Sequence, residues 1–256
     1  MSHALLMYAA ADVARLAGDV ALRHYRGDIA VETKGDGSPV TIADRAAETA
    51  ARRWLGERFP GDGILGEEFG LERADAPRRW VLDPIDGTKS FVRGVPLWGT
   101  LVAVVEGERV LAGAAYFPAA GEMIAAAPGE GCWWNGARAR VSAVAALDQA
   151  TVCVTDERFP EHPDRRAAWR SLAVRAAVSR TWGDCYGYLL VATGRAEVMV
   201  DPVMSPWDAA ALQPIIAEAG GVFTDWDGTA TAFAGSVVAT NAAVASDARR
   251  LLHGGV

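Results

Sequence analysis

Asp83-Pro84-Ile85-Asp86-Gly87-Thr88-Lys89-Ser90 sets two carboxylates three positions apart, with Gly87-Thr88 directly behind them and the apolar run Trp80-Val81-Leu82 in front. The apolar run predicts a strand that delivers Asp83 to a sheet edge; Pro84 fixes φ and turns the chain, and Asp86 comes round toward Asp83. Hard oxygen ligands of this kind suit Mg2+. Gly87 lets backbone N–H groups approach a ligand closely, and a helix opening at Thr88 adds an anion site from its unpaired N–H groups. One segment therefore has the chemistry to hold a metal ion and a phosphate side by side.

Three further acidic positions fall at the ends of predicted elements: Asp44, Glu67-Glu68 and Asp208. Each has a plain structural reading. Asp44 can close a capping box behind Thr41, and Asp208 stands at the third position of a helix behind Ser205 as N-cap and Pro206 at N1. Glu67-Glu68, bounded by Gly66 and Gly70, can be a solvated turn. The set is more specific than its members.

The elements that must position these residues are legible from periodicity. Val13, Leu16, Ala17, Val20 and His24 repeat at helical spacing and predict a first helix over Ala4 to Tyr25. Residues 31–40, rich in Gly, Asp, Ser and Pro, predict a loop or short exposed hairpin carrying Lys34. A second helix follows from Thr41 to Arg58, ended by Pro60 and Gly61. Short strands come next: Ile64-Leu65, Trp80-Leu82, an antiparallel hairpin of Thr100-Val105 with Val110-Phe117, then Glu122-Ala127 and a turn at Trp134-Asn135-Gly136. From about Leu147 strands and helices alternate: a strand over Thr151-Thr155, helices through Ala167-Ala173 and near Tyr186-Thr193, a strand at Glu197-Val200, one helix over Ser205-Ala219, a strand at Ser236-Ala239 and a last helix over Ala242-Leu252. This divides the chain into an α+β half, residues 1–146, carrying the acidic motifs, and a smaller α/β half, residues 147–256, completing the site. Pro214 should kink the helix after Asp208.

The chain has 256 residues, 51% of them hydrophobic, enough for a sizeable core. A net charge of -7 without a basic stripe argues against a nucleic-acid backbone as partner and is compatible with cation binding. Cys132, Cys153 and Cys185 are odd in number and far apart, so neither a disulfide framework nor a zinc site is suggested and a reducing cytoplasm is expected. Residues 1–18 lack a basic n-region and show helical spacing, against a signal peptide, and no apolar run reaches membrane-spanning length. His3, His24, His162 and His253 have no metal-ligand spacing. Among 25 basic residues only Lys34 and Lys89 are lysine, and both lie in or beside candidate site segments, where a compact ammonium suits a metal or phosphate.

Gly66-Glu67-Glu68, the run Asp83 to Ser90, and Trp207-Asp208 followed by an Ala-rich helix ending at Gly220-Gly221 resemble the three signatures of the inositol monophosphatase family. The resemblance extends over most of the chain. It implies an α+β fold, a layered αβαβα sandwich of the inositol monophosphatase and sugar phosphatase type, Mg2+-dependent phosphomonoester hydrolysis with two or three Mg2+ ions, and usually a homodimer. By that resemblance Glu67, Asp83, the carbonyl of Ile85, Asp86 and Asp208 would be metal ligands. Thr88, hydrogen-bonded to Asp44, would with Glu67 orient and deprotonate the attacking water, and Gly87 and Thr88 would hold phosphate through their N–H groups. Glu67, Asp86, Gly87, Thr88, Lys89, Asp184, Asp201 and Asp208 would meet the substrate.

Two segments speak to which ester is hydrolysed. Arg180 to Tyr188, reading Arg-Thr-Trp-Gly-Asp-Cys-Tyr-Gly-Tyr, and Lys89 to Gly94 resemble the corresponding stretches of the histidinol-phosphate phosphatases of this family. Inositol-type members generally carry small residues where this chain has Asp184. Asp184 with Asp201 would form a second acidic cluster suited to the ammonium and imidazole of L-histidinol phosphate, which places the activity in histidine biosynthesis. Against this, Asp184 can be a helix N-cap, and Trp182 and Tyr186 can stack on imidazole or belong to the core. The alternatives are an inositol-1-phosphate or broad small-molecule monophosphatase and, in a different class, a silent metal-binding dimer. Nucleotide 3'-phosphates and fructose bisphosphate fit less well, because no extra basic residues gather for a second phosphate.

Overall fold

Ser2 opens the chain's first helix: its hydroxyl accepts the Leu5 N–H, and α1 runs His3–Leu22. The helix stops three residues short of the predicted end, because the chain tightens into a turn at Arg23 and His24 and the Tyr25 hydroxyl donates to the Gly94 carbonyl at 2.6 Å. The computed structural model describes residues 1–27, 31–33, 39–160 and 162–254. Lys34 and the middle of the predicted hairpin lie outside the described residues; its flanks, β1 (Val31–Thr33) and β2 (Pro39–Thr41), pair antiparallel. Helix α2 (Ile42–Arg58) begins at the predicted capping box, with Thr41 as N-cap and Asp44 accepting the Thr41 N–H at 2.8 Å.

An eight-stranded sheet follows, built from β3 (Gly63–Gly66), β4 (Gly70–Glu72), β5 (Arg78–Asp86), β6 (Gly99–Glu106), β7 (Arg109–Phe117), β8 (Glu122–Ala127), β9 (Gly131–Trp134) and β10 (Ala137–Arg138). Its order is β10-β9-β8-β7-β6-β5-β3-β4, with only β3 and β5 parallel. A short helix, α3 (Thr88–Phe91), interrupts the path from β5 to β6. The second half supplies β11 (Thr151–Val154), α4 (Pro163–Ala173), β12 (Val178–Arg180), α5 (Asp184–Ala192), β13 (Val198–Asp201), α6 (Pro206–Ala209), α7 (Leu212–Glu218), β14 (Gly221–Thr224), β15 (Val237–Asn241) and α8 (Ala245–Leu252). Its five strands are ordered β12-β11-β13-β15-β14.

The layers follow from strands that are apolar on both faces. Trp80, Leu82, Val102 and Val104 point into a core shared with α1 and α2, whereas the alternate residues Val81, Leu101, Ala103 and Val105 point into one shared with α5 and α7. That second core continues to Met199, Val237 and Ala239 on the small sheet, whose other face packs Val152, Val198, Val200 and Val238 against α4 and α8. Burial of each Val, Leu or Met side chain among these contributes about 1.5–3 kcal/mol, and of each alanine less. The stack is αβαβα, and the fold is α+β.

Two local expectations are corrected. Strand β5 does not end at Asp83 and is not at a sheet edge: it lies between β3 and β6, and Pro84 falls in a register slip against β6 between Asp83 and Asp86, a position where a missing N–H is tolerated. The single helix predicted over Ser205 to Ala219 is two helices. Pro214 has no N–H to offer the Ala210 carbonyl, and the Ala211 carbonyl packs onto Gly113, where a Cβ would overlap it.

Candidate metal centre

Beyond Leu82 the parallel neighbour β3 has ended, so the tip of β5 opens toward a cavity of about 350 Å³. Asp83 is buried there, and its Oδ1 accepts the Ile85 N–H at 2.9 Å, which folds the chain back through the slip. Asp86 follows, its Oδ2 receiving the Cys185 N–H from the first turn of α5 at 2.5 Å. From the opposite side α6 contributes Asp208, which accepts the Ser205 N–H at 2.9 Å. Each of Asp83, Asp86 and Asp208 presents a carboxylate oxygen within 4.8 Å of the others. Glu67, just past β3, donates its N–H to the Leu82 carbonyl at 3.1 Å and lines the same cavity. The capping role of Asp208 and its place in the cluster therefore hold together.

The electrostatics are unfavourable as the acids stand. Burial, with repulsion from Glu67, Asp86 and Asp208 behind it, raises Asp83 well above the usual carboxylate range. Burial and then Asp184 and Asp208 do the same for Asp86, and burial moves Asp208 up to about 6 against the opposing Ser205 N–H. A divalent cation held between hard oxygens reverses each of these penalties. The donor set fits Mg2+: carboxylates and a backbone carbonyl, with no sulfur or imidazole in the cluster. Gly87 stands beside it at φ 85°, in a place where a Cβ would meet the Leu97 carbonyl at 2.9 Å, and as N-cap of α3 it leads into N–H groups without intrahelical partners.

Lys89, Thr88 and Asp184 line this cavity too. The N-cap reading of Asp184 is overturned: Gly183 is the cap of α5, without a side-chain bond, and Asp184 is the first helical residue at φ 51°. Its N–H donates to Thr155 Oγ1 at 2.8 Å, and its carboxylate turns inward to the Ser90 hydroxyl at 3.4 Å. The second acidic cluster expected from Asp184 and Asp201 away from the metal ligands is not formed as such: Asp184 lines the cavity of Asp83, Asp86 and Asp208, and Asp201 lies in an adjoining cavity of about 170 Å³ that shares Lys89 and contains Asp156. It accepts the Tyr188 hydroxyl at 2.9 Å and the Thr155 N–H at 3.3 Å, and burial moves it up to about 7.

The expected hydrogen bond between Thr88 and Asp44 is not made. The Thr88 hydroxyl donates to the Ile85 carbonyl at 3.0 Å, while Asp44 Oδ1 is buried without a partner in the described structure. Tyr186 does not face the cavity; its hydroxyl donates to Glu122 at 2.8 Å and its ring meets Phe117 edge-on. Trp182 is partly exposed under Arg180. The three cysteines are buried and free. Among the described residues no helix is long and apolar enough to cross a membrane.

A sequence model of the inositol monophosphatase family matches residues 4–254. The chain belongs to the inositol monophosphatase family. It is 45% identical over 221 residues to the histidinol-phosphatase of Chlorobaculum parvum (86% of this chain, 85% of that one), and 40% identical over 260 residues to the histidinol-phosphatase of Mycobacterium tuberculosis, at 100% of both. Among solved structures, the extragenic suppressor protein suhB from Bartonella henselae superposes with a TM-score of 0.92 at 28% identity, over 98% of this chain and 100% of that one. An inositol monophosphatase from Zymomonas mobilis gives 0.86 at 32% identity, over 96% and 97%. Like the members of this family, the chain is a phosphoric monoester hydrolase.

Reading the family motifs alone misses residues that the fold brings to them. Glu48, one turn after Asp44 on α2, receives the N–H groups of Glu68 and Phe69. Ser90 supports Asp184, and Asp156 borders the second cavity beside Lys89. The i, i+4 spacing of Asp44 and Glu48 was the available signal for the first of these.

Proposed function

We propose that this family member is a Mg2+-dependent phosphomonoesterase that hydrolyses L-histidinol phosphate to L-histidinol and phosphate, as in histidine biosynthesis. The observation that carries the choice of ester is the inward carboxylate of Asp184, beside the acidic cluster and across Lys89 from Asp201. A cationic leaving group gains from anions there, whereas an uncharged polyol does not. The names borne by the relatives from Chlorobaculum parvum and Mycobacterium tuberculosis support the same reading.

Glu67, Asp83, the Ile85 carbonyl, Asp86 and Asp208 would hold two or three Mg2+ ions, which supply the positive charge that lets a phosphate dianion enter an acidic site and that stabilises an in-line displacement. Gly87 and Thr88 bind the phosphate oxygens through their N–H groups. The Thr88 hydroxyl and the Glu67 carboxylate orient the attacking water, and Glu67 takes its proton. Asp44, with an unpartnered buried oxygen, is the acceptor for the Thr88 hydroxyl once that hydroxyl leaves the Ile85 carbonyl. Water oxygen attacks phosphorus as the bond to the alcohol oxygen breaks, and that oxygen takes a proton from a second water to leave as the alcohol, with no covalent phosphoenzyme. Lys89, Asp184 and Asp201 hold the leaving group.

We further assign the two sheets to two halves, residues 1–146 and 147–256, with the site between them. Homodimerisation and a cytoplasmic setting complete the reading, the second supported by three cysteines kept as buried thiols. The test is kcat/KM for L-histidinol phosphate beside inositol-1-phosphate, with Mg2+ and with EDTA. A preference of about 10^2-fold or more for histidinol phosphate is expected, on the scale that recognition of desolvated polar groups can supply. Comparable values would instead favour a broad small-molecule monophosphatase.

A further inference from the structure

Glu48 is completely buried on α2, yet it touches neither the cavity nor the apolar core in the manner of a filler. Its carboxylate gathers three donors: the Glu68 N–H at 2.8 Å, the Phe69 N–H at 3.2 Å and Arg52 Nε at 2.7 Å. Arg52 continues the chain of contacts, with Nη2 on the Gly70 carbonyl at 2.5 Å and Nη1 on Glu72 at 3.2 Å. Gly66 leaves the room for this, since a Cβ there would overlap the Glu48 carboxylate. Every residue from 66 to 70 is thus tied down, and Glu67 is held from two sides. Its own N–H is fixed to Leu82, one residue before Asp83, and its successors are fixed to α2, the helix that also carries Asp44.

We propose that Glu48, with Arg52, is a positioning residue for the cation site: it sets the Glu67 loop at the distance from Asp83 that metal binding requires. The inference rests on the metal-site reading above. The β3–β4 pairing closes this five-residue turn at Gly66 and Gly70 but leaves the orientation of its three inner residues, two of them adjacent glutamates, to be set by other contacts, against the repulsion of Glu67 from Asp83. Charge-assisted bonds from a buried carboxylate to successive backbone N–H groups supply the restraint. Outer partners of metal ligands typically govern metal affinity by about 10- to 100-fold.

The test is Mn2+ binding followed by electron paramagnetic resonance on the full chain, together with the Mg2+ concentration for half-maximal phosphate release. Glu48→Gln keeps the volume but turns an amide N–H toward a donor, and should weaken Mn2+ binding and raise the Mg2+ midpoint by about 10-fold or more, with kcat recovering in saturating Mg2+. Asp62→Asn is the control: it disturbs another buried, paired acid and should lower the melting temperature in EDTA without moving either metal readout. Should Glu48→Gln fail to fold, Arg52→Lys carries the test, with a shift of about 3-fold or more expected from loss of the Gly70 contact. Unchanged Mn2+ affinity in the folded variant overturns the positioning role, whereas absence of Mn2+ binding by the wild-type chain overturns the metal-site reading itself.

Discussion

Near the start of β5, Asp62 is buried against Arg78 and Trp80; at the strand's other end, Asp83 is buried against Glu67, Asp86 and Asp208. Asp62 accepts the Arg78 guanidinium at 2.8 and 2.9 Å and the Trp80 indole N–H at 2.9 Å, so its charge is met on the spot. Asp83 has one backbone N–H, and its other hydrogen-bonding neighbours are themselves acids, Glu67 and Asp208, with no cationic side chain among them. Glu122 resembles Asp62, with Arg195, Trp134 and Tyr186 as donors. These two scaffold acids are met by cationic or aromatic N–H and O–H donors, whereas the acids at the tip of β5 are crowded by one another, and on the function proposed above a cation would balance them. Burial alone does not separate the two groups; the partner list does.

The sharpest way to break this comparison is to neutralise one acid of each kind. Asp83→Asn and Asp208→Asn should each lower kcat by about 10^3-fold or more in saturating Mg2+, since each removes a ligand used in the transition state. Melted in EDTA, the same variants should be as stable as the wild type or more so, because a repelling charge has gone. Asp62→Asn should do the opposite, destabilising by about 3 kcal/mol through the uncompensated Arg78 while leaving kcat/KM within about 3-fold. A loss of stability in EDTA for Asp83→Asn equal to that of Asp62→Asn would make the cluster a scaffold.

A smaller effect sharpens the same contrast within the cavity. Asp184→Ala should raise KM for L-histidinol phosphate by about 10^2-fold and KM for inositol-1-phosphate by no more than about 3-fold, as expected for a contact to the leaving group alone. Equal changes for both substrates, measured in Mg2+, would assign Asp184 a structural role.

The smallest expected effect concerns Asp201, whose folded carboxyl is raised to about 7 from 3.8. The folded chain therefore holds this proton more tightly than the unfolded chain does. Its contribution to stability is present below about pH 4 and is lost as pH rises from about 4 to about 7, a span worth at most about 4 kcal/mol. Asp201→Asn, which retains the acceptor for the Thr155 N–H, should gain in melting temperature over the wild type as pH increases from 5 to 8 in EDTA. Parallel curves would show that Asp201 does not titrate in that window.

Much of this was legible before any coordinates. Thr41 and Asp44 announced the start of α2, and Asn135-Gly136 announced a tight turn that the chain makes with φ of 47° and 81°. Asp83, Asp86 and Asp208 come together and Glu67 lines the same cavity, a grouping that the resemblance of three separate segments to the family signatures implied and that no one of those acids, each at an ordinary capping or turn position, announced by itself. What escaped notice depends on contacts remote in sequence. Glu48 binds backbone N–H groups 20 and 21 positions away, which carry no side-chain signature. The break between α6 and α7 owes as much to Gly113 as to Pro214, and the turn of Asp184 into the cavity depends on Thr155. Strands β4 and β12, three residues each, are too short to show a period.

The most direct test of the contrast between completed and incomplete acids is the melting temperature of the wild type and of Asp83→Asn across a Mg2+ titration, with phosphate release from L-histidinol phosphate measured in the same samples. Mg2+ at about 100 times its dissociation constant should stabilise the wild type by about 2.7 kcal/mol, a rise of roughly 5 °C or more, while activity appears with the same midpoint and the variant stays flat. A wild-type melting temperature indifferent to Mg2+, or an equal rise in Asp83→Asn, would contradict the assignment of the β5 cluster as the metal centre.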